Sequence, residues 1–217
     1  MKIVFVGNFR VDFTSETHHA NTLVSMGHKV IRMQETECTT DQILENGLKS
    51  DVVVWVHTHG WNTLGNVSIT SMSDQLRQAG VPLISYHLDL WMGLNRQKDL
   101  DTEYYKALHH FFTVDKLMAD YLNENTNTIG HFMPAAVYDK EVYIHKDYDP
   151  AYFEHEVVFV GSRGYHPEWP YRPQLIDWLA ANYKFTHVGG DGIGVVRGDA
   201  LNRLYAKSKI AIGDTLI

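Results

Sequence analysis

The sequence predicts an α/β protein built from two successive parallel sheets with helices on their faces. Three observations lead there. Short β-branched runs alternate with segments of helical apolar spacing, the order that builds βαβ units. One run, Val52 to Val56, is apolar without alternation, as a strand covered on both faces is. The rhythm breaks once, between Met133 and Tyr152, and then restarts.

Taken in order, Lys2–Val6 is the first strand, ending at Gly7 before a polar loop from Asn8 to Thr14. Thr14 or Ser15 caps a helix that carries Ala20, Leu23, Val24 and Met26 and stops at Gly27, a residue suited to a helix end. Val30–Met33 is the second strand. Thr40 opens a helix with Ile43, Leu44 and Leu48 on one face, and the central strand Val52–Val56 follows. Ser73–Ala79 reads as a helix, Gly80-Val81-Pro82 as a turn and Leu83–Tyr86 as a strand. Tyr104–Phe112 and Lys116–Asn123 predict helices on either side of a short strand, Phe111–Val114.

Residues 1–134 therefore form a first lobe. Residues 135–156, with Pro150 and several tyrosines, read as a linker, and residues 157–217 as the start of a second lobe. Its strands are Val157–Val160, Phe185–Val188 and Lys209–Ile212, with helices at Pro173–Ala181 and Leu201–Lys207. The chain stops at Ile217 without a helix to cover that sheet, so the second lobe is expected to be incomplete.

Composition narrows the function classes. Nineteen Lys and Arg against 26 Asp and Glu give a net charge of −7, and no basic run tracks a phosphate backbone. Non-specific nucleic-acid binding is not expected. Cys38 is the only cysteine, which excludes an intrachain disulfide and any zinc site built on several thiolates. Met1–Gly7 reads as a strand rather than a signal peptide, and no stretch approaches the roughly 18 apolar residues of a transmembrane helix. A cytoplasmic location is the expectation.

In parallel sheets, ligands gather beyond the carboxyl ends of the strands. That rule selects Gly7-Asn8, His57-Thr58-His59-Gly60 and His87-Leu88-Asp89 in the first lobe. A His-x-His such as His57 and His59 also opens several metal-dependent hydrolase sites. With 13 histidines and no second cluster of ligands, no metal is expected. Trp61 and Trp91 follow the candidate loops and serve either as ligand-stacking platforms or as packing.

Several segments resemble sugar-nucleotide-dependent glycosyltransferases of the GT-B type. They are Met1–Gly7 with Leu23-Val-Ser-Met-Gly27-His28-Lys-Val30, then Asp51–His59, Ile84–Asp89, Val157–Ser162, and His187–Gly192 with Leu201–Tyr205 and Ser208–Asp214. The resemblance lies in their order over nearly the whole chain. It implies two Rossmann-like lobes, the first for the acceptor and the second for the donor.

The resemblance also implies roles. His87 would take the acceptor proton or hold a sugar hydroxyl, with Asp89 orienting it, while Gly7, Asn8, His57, His59 and Trp61 would line the acceptor site. Gly161, Ser162, Arg163, Gly189, Gly190 and Asp191 would bind the donor. For each residue a plain alternative stands beside the role: a satisfied core histidine, a helix-capping Asp89, an exposed loop Arg163, or glycines serving tight turns. An Arg–Lys pair often follows the first donor-lobe strand in this family, and here only Arg163 is present. The acids that bind the nucleotide ribose would lie beyond Ile217. No cofactor is implied; the nucleoside diphosphate sugar is a co-substrate. A non-catalytic nucleotide- or sugar-binding module and a metal-dependent hydrolase using His57 and His59 are the alternatives.

Overall fold

Each β-branched run forms a parallel strand in the computed structural model, which describes residues 1–58, 60–164, 170–190 and 192–213. The chain divides into two units, Met1–Ala136 and Val137–Ile217.

The first unit holds strands β1 (Lys2–Gly7), β2 (Lys29–Gln34), β3 (Val52–Trp55), β4 (Leu83–His87), β5 (His110–Thr113) and β6 (Ile129–Phe132). Their order in the sheet is β2-β1-β3-β4-β5-β6, and every pairing is parallel. The direction of travel reverses at β1, because β2 lies on one side of it and β3 on the other. That reversal creates the topological switch point at which open α/β sheets bind ligands.

The same reversal distributes the helices α1 (Ser15–Ser25), α2 (Thr40–Gly47), α3 (Ile69–Gln78), α4 (Glu103–Ala107) and α5 (Lys116–Asn125). Right-handed crossovers put α1 on one face and the helices that step the other way on the opposite face. The larger core joins Ile43, Met72, Leu76, Leu108, Met118 and Leu122 to Val4, Val53, Trp55, Leu83 and Phe111. The smaller one packs Ala20 and Leu23 on Ile3, Phe5, Val52 and Val54. Burying each such leucine or isoleucine contributes about 1.5–3 kcal/mol. Caps start the helices: the Thr14 hydroxyl accepts from Thr17 N–H (3.1 Å), and Thr39 forms a capping box with Gln42.

One expectation fails here, and one strand goes unforeseen. The helix predicted over Tyr104–Phe112 ends at Ala107, and His109 and His110 are not helical. His109 N–H donates to the Leu83 carbonyl (2.9 Å), and its buried ring accepts at Nδ1 from Leu83 N–H (3.0 Å). This sheet anchoring outweighs helical continuation. Strand β6 was not foreseen, since four residues that include Gly130 carry no alternation.

The second unit is a three-stranded parallel sheet of β7 (His155–Val160), β8 (Phe185–Val188) and β9 (Ser208–Ile212) in the order β8-β7-β9, with α6 (Arg172–Asn182) and α7 (Gly198–Ala206). The segment before β7 packs on this unit: the Tyr143 hydroxyl donates to Asp199 in the first turn of α7 (2.5 Å), and Asn202 donates to the Glu141 carbonyl (2.7 Å). Both units are Rossmann-like in their parallel α/β order. No helix among the described residues is long and apolar enough to cross a membrane.

Candidate functional site

The switch point brings together residues from the ends of β1, β2 and β3. Glu35 follows β2, and its N–H extends the ladder by donating to the Gly7 carbonyl (3.0 Å). Its side chain is fully buried. A carboxylate removed from water needs donors on both oxygens, and among the described residues it has three. Trp55 Nε1–H (2.8 Å) and His57 Nδ1 (2.5 Å) meet Oε1, while Thr58 N–H donates to Oε2 (2.8 Å).

Because the Glu35 carboxylate is only an acceptor, His57 carries a proton on Nδ1, and in the neutral ring Nε2 keeps the lone pair. The ring packs against Tyr104, with centroids 4.7 Å apart. Burial holds the Tyr104 phenol well above its ordinary pKa, so it remains a donor, and its hydroxyl bonds the Trp55 carbonyl and Ser85 Oγ. The imidazole is thereby fixed in position. Its side chain remains 19 % exposed, which leaves access for a reactant.

His87, at the end of β4, has the opposite arrangement. Its Nδ1 accepts from Trp91 Nε1–H (3.2 Å) and Asp89 N–H (3.3 Å), which places the proton of the neutral ring on Nε2. Asp89 is 3.6 Å from the same Nδ1 and 3.4 Å from Arg96 Nη1. Two histidines on one rim thus differ in kind: Nδ1 of His57 donates and Nδ1 of His87 accepts. Trp91 is 1 % exposed and packs in the core, not as a sugar platform. Asp115 holds its loop by accepting from the Trp91 and Met92 N–H groups (2.7 and 2.9 Å).

The loop after β1 completes the rim. Asn8 Oδ1 accepts from Arg10 N–H (3.3 Å), and its carbonyl accepts from the Thr14 hydroxyl (2.7 Å). The Arg10 guanidinium lies 5.4 Å over the Trp61 ring and donates to Thr36 Oγ1 (2.9 Å), so Trp61 is joined to a cation rather than open on both faces. A Cβ on Gly7 would lie 2.8 Å from Glu16 Cγ. Gly7 therefore serves the approach of Glu16, whose carboxyl occupies the start of α1, where a phosphate would otherwise bind. Burial raises the pKa of Glu16. Burial, and then the nearby Glu35, push the Cys38 thiol up to about 11, so Cys38 is no nucleophile at neutral pH.

In the second unit the strand-end loops of β7 and β8 are tied together. His187 Nε2 meets the Gly161 carbonyl (2.7 Å), and Gly161 N–H donates to the Val188 carbonyl (2.8 Å). Gly189 and Gly190 have φ of +108° and +54°, and a Cβ on them would lie 3.1 Å from Gly161 O and Ser162 Cα. The Ser162 carbonyl accepts from Arg172 (3.1 Å). Arg163 bonds Asp177 on α6 (2.6 Å) and holds that carboxyl below its ordinary pKa. His59 and Asp191 lie outside the described residues.

Glu35 and Arg10 escaped the reading of the sequence. The available signal was position: Glu35 directly follows a strand, at the same rim as the residues selected there. Among the described residues no group of three or more His, Cys, Asp or Glu could hold a metal ion. No protein-family model matches this chain, and a search of the curated proteins finds no match.

Proposed function

We propose that the protein is a glycosyltransferase of the GT-B type that moves a sugar from a nucleoside diphosphate sugar to an acceptor hydroxyl, with His57 as general base. The Glu35–His57 pair at the switch point carries this reading. The acceptor O–H gives its proton to His57 Nε2, its oxygen forms a bond to the anomeric carbon, and the bond from that carbon to the diphosphate oxygen breaks. Glu35 stabilises the imidazolium that forms. His87 Nε2–H donates to a sugar hydroxyl, and Arg10 and Trp61 border the acceptor.

The donor belongs to the second unit on this reading, since Glu16 already fills the start of α1. The N–H groups of Ser162 and of the Gly189–Gly190 loop and the Arg163 side chain meet the departing diphosphate. The Arg163–Asp177 pair does not preclude that role, because solvent screens an ion pair this exposed. No cofactor is required, and a cytoplasmic location accords with the single cysteine.

The test is release of nucleoside diphosphate from a panel of nucleotide sugars. His57→Ala should lower the rate about 10²–10⁴-fold, and Glu35→Gln should lower it with little change in donor KM. Activity that survives His57→Ala removes the base from the account.

One observation favours a second reading. A carboxylate bound to histidine Nδ1 also orients imidazoles that ligate metals through Nε2, which suits a metal-dependent hydrolase using His57 and His59. Metal that copurifies and is lost in His57→Ala would select it.

A further inference from the structure

Away from the switch point, β5 and β6 bring two more imidazoles together. His110 Nδ1 and His131 Nε2 are 3.1 Å apart. His110 is in register with Ile84 of β4, which packs against the α1-side cluster, so the pair stands on that face of the sheet. Both side chains are half-buried. Phe112 stacks on His131 with centroids 4.7 Å apart and planes 16° from parallel, which fixes the ring.

We propose that His110 Nδ1 and His131 Nε2 form a two-histidine chelate for a late first-row divalent ion, Cu²⁺, Ni²⁺ or Zn²⁺. The geometry carries it. Metal–imidazole bonds of about 2.0–2.1 Å spanning this separation give an N–metal–N angle of about 95–100°. Neighbouring positions of square-planar and octahedral complexes lie close to that angle, which favours Cu²⁺ and Ni²⁺.

In the neutral pair one ring donates to the other, and to bind metal the donor ring moves that proton to its remaining nitrogen, so both facing nitrogens present lone pairs and no net proton is lost. With two protein ligands, water fills the other positions, and the ion exchanges.

This site is independent of the proposed transfer reaction and is tested without it. One equivalent of Cu²⁺ added to the full chain should give an electron paramagnetic resonance spectrum with two imidazole nitrogens, and His110→Asn/His131→Asn should lose it while His57→Ala keeps it. The same spectrum and affinity in the double variant would overturn the proposal. Where the double variant does not fold, diethyl pyrocarbonate labelling of the wild-type chain decides: Cu²⁺ should protect His110 and His131 from modification, and equal labelling with and without Cu²⁺ would overturn the site.

Discussion

At the scale of single residues, the site turns on whether Nδ1 of each histidine donates or accepts. Positions 57 and 87 are both histidines just beyond or at a strand end, and their roles separate only through partners from other segments: Glu35 for one, Trp91 and the Asp89 N–H for the other. A linear sequence displays the imidazoles and not the partners. Glu16 supplies a prediction at this scale. Burial raises its pKa from 4.5, partly offset by N–H donors that include the Asn8 backbone. In the window from the unfolded value up to the raised folded value, the native state binds more protons than the unfolded state, so stability falls as pH rises through it and the full cost stands above the folded pKa. Glu16→Gln removes that cost. Its thermal midpoint should therefore gain on wild type more at pH 7 than at pH 4; an equal difference at both would show that ionisation of Glu16 does not matter.

At the scale of elements, strands and most helices were legible because period and punctuation agreed. Phe185–Val188 occurs as expected, and α3 starts earlier than Ser73 because Ser68 caps it (3.1 Å to Ser71 N–H). Tyr104–Phe112 misled because its apolar spacing suits a helix, while the tertiary bonds of His109 end that helix at Ala107. The glycines were legible as strand-end features, but their packing was not. Gly189 has φ of +108° and the backbone of Gly161 within 3.1 Å of where a Cβ would stand. Gly189→Ala should destabilise the second unit by about 1–3 kcal/mol, seen as a lower urea midpoint by tyrosine and tryptophan fluorescence. A midpoint unchanged from wild type would mean that the loop rearranges without strain.

At the scale of the whole molecule, two parallel α/β units could be read from the restart of the rhythm after Met133, whereas the strand order could not. That order matters most for the site, because it places β2 and β3 on either side of β1 and lets Glu35 reach His57 across it. Without the order, Glu35 is one of 26 acids; with it, Glu35 is the buried partner of His57. The sugar-nucleotide half of the account rests on the second unit, where two glycine loops and Arg163 stand at strand ends. A diphosphate that binds only the folded chain adds about 2.7 kcal/mol at a hundredfold excess over its Kd. Thermal unfolding of the full chain with each common nucleoside diphosphate is the most direct measurement: the account predicts a raised midpoint with at least one, diminished by Arg163→Ala, and no shift with any of them would contradict it.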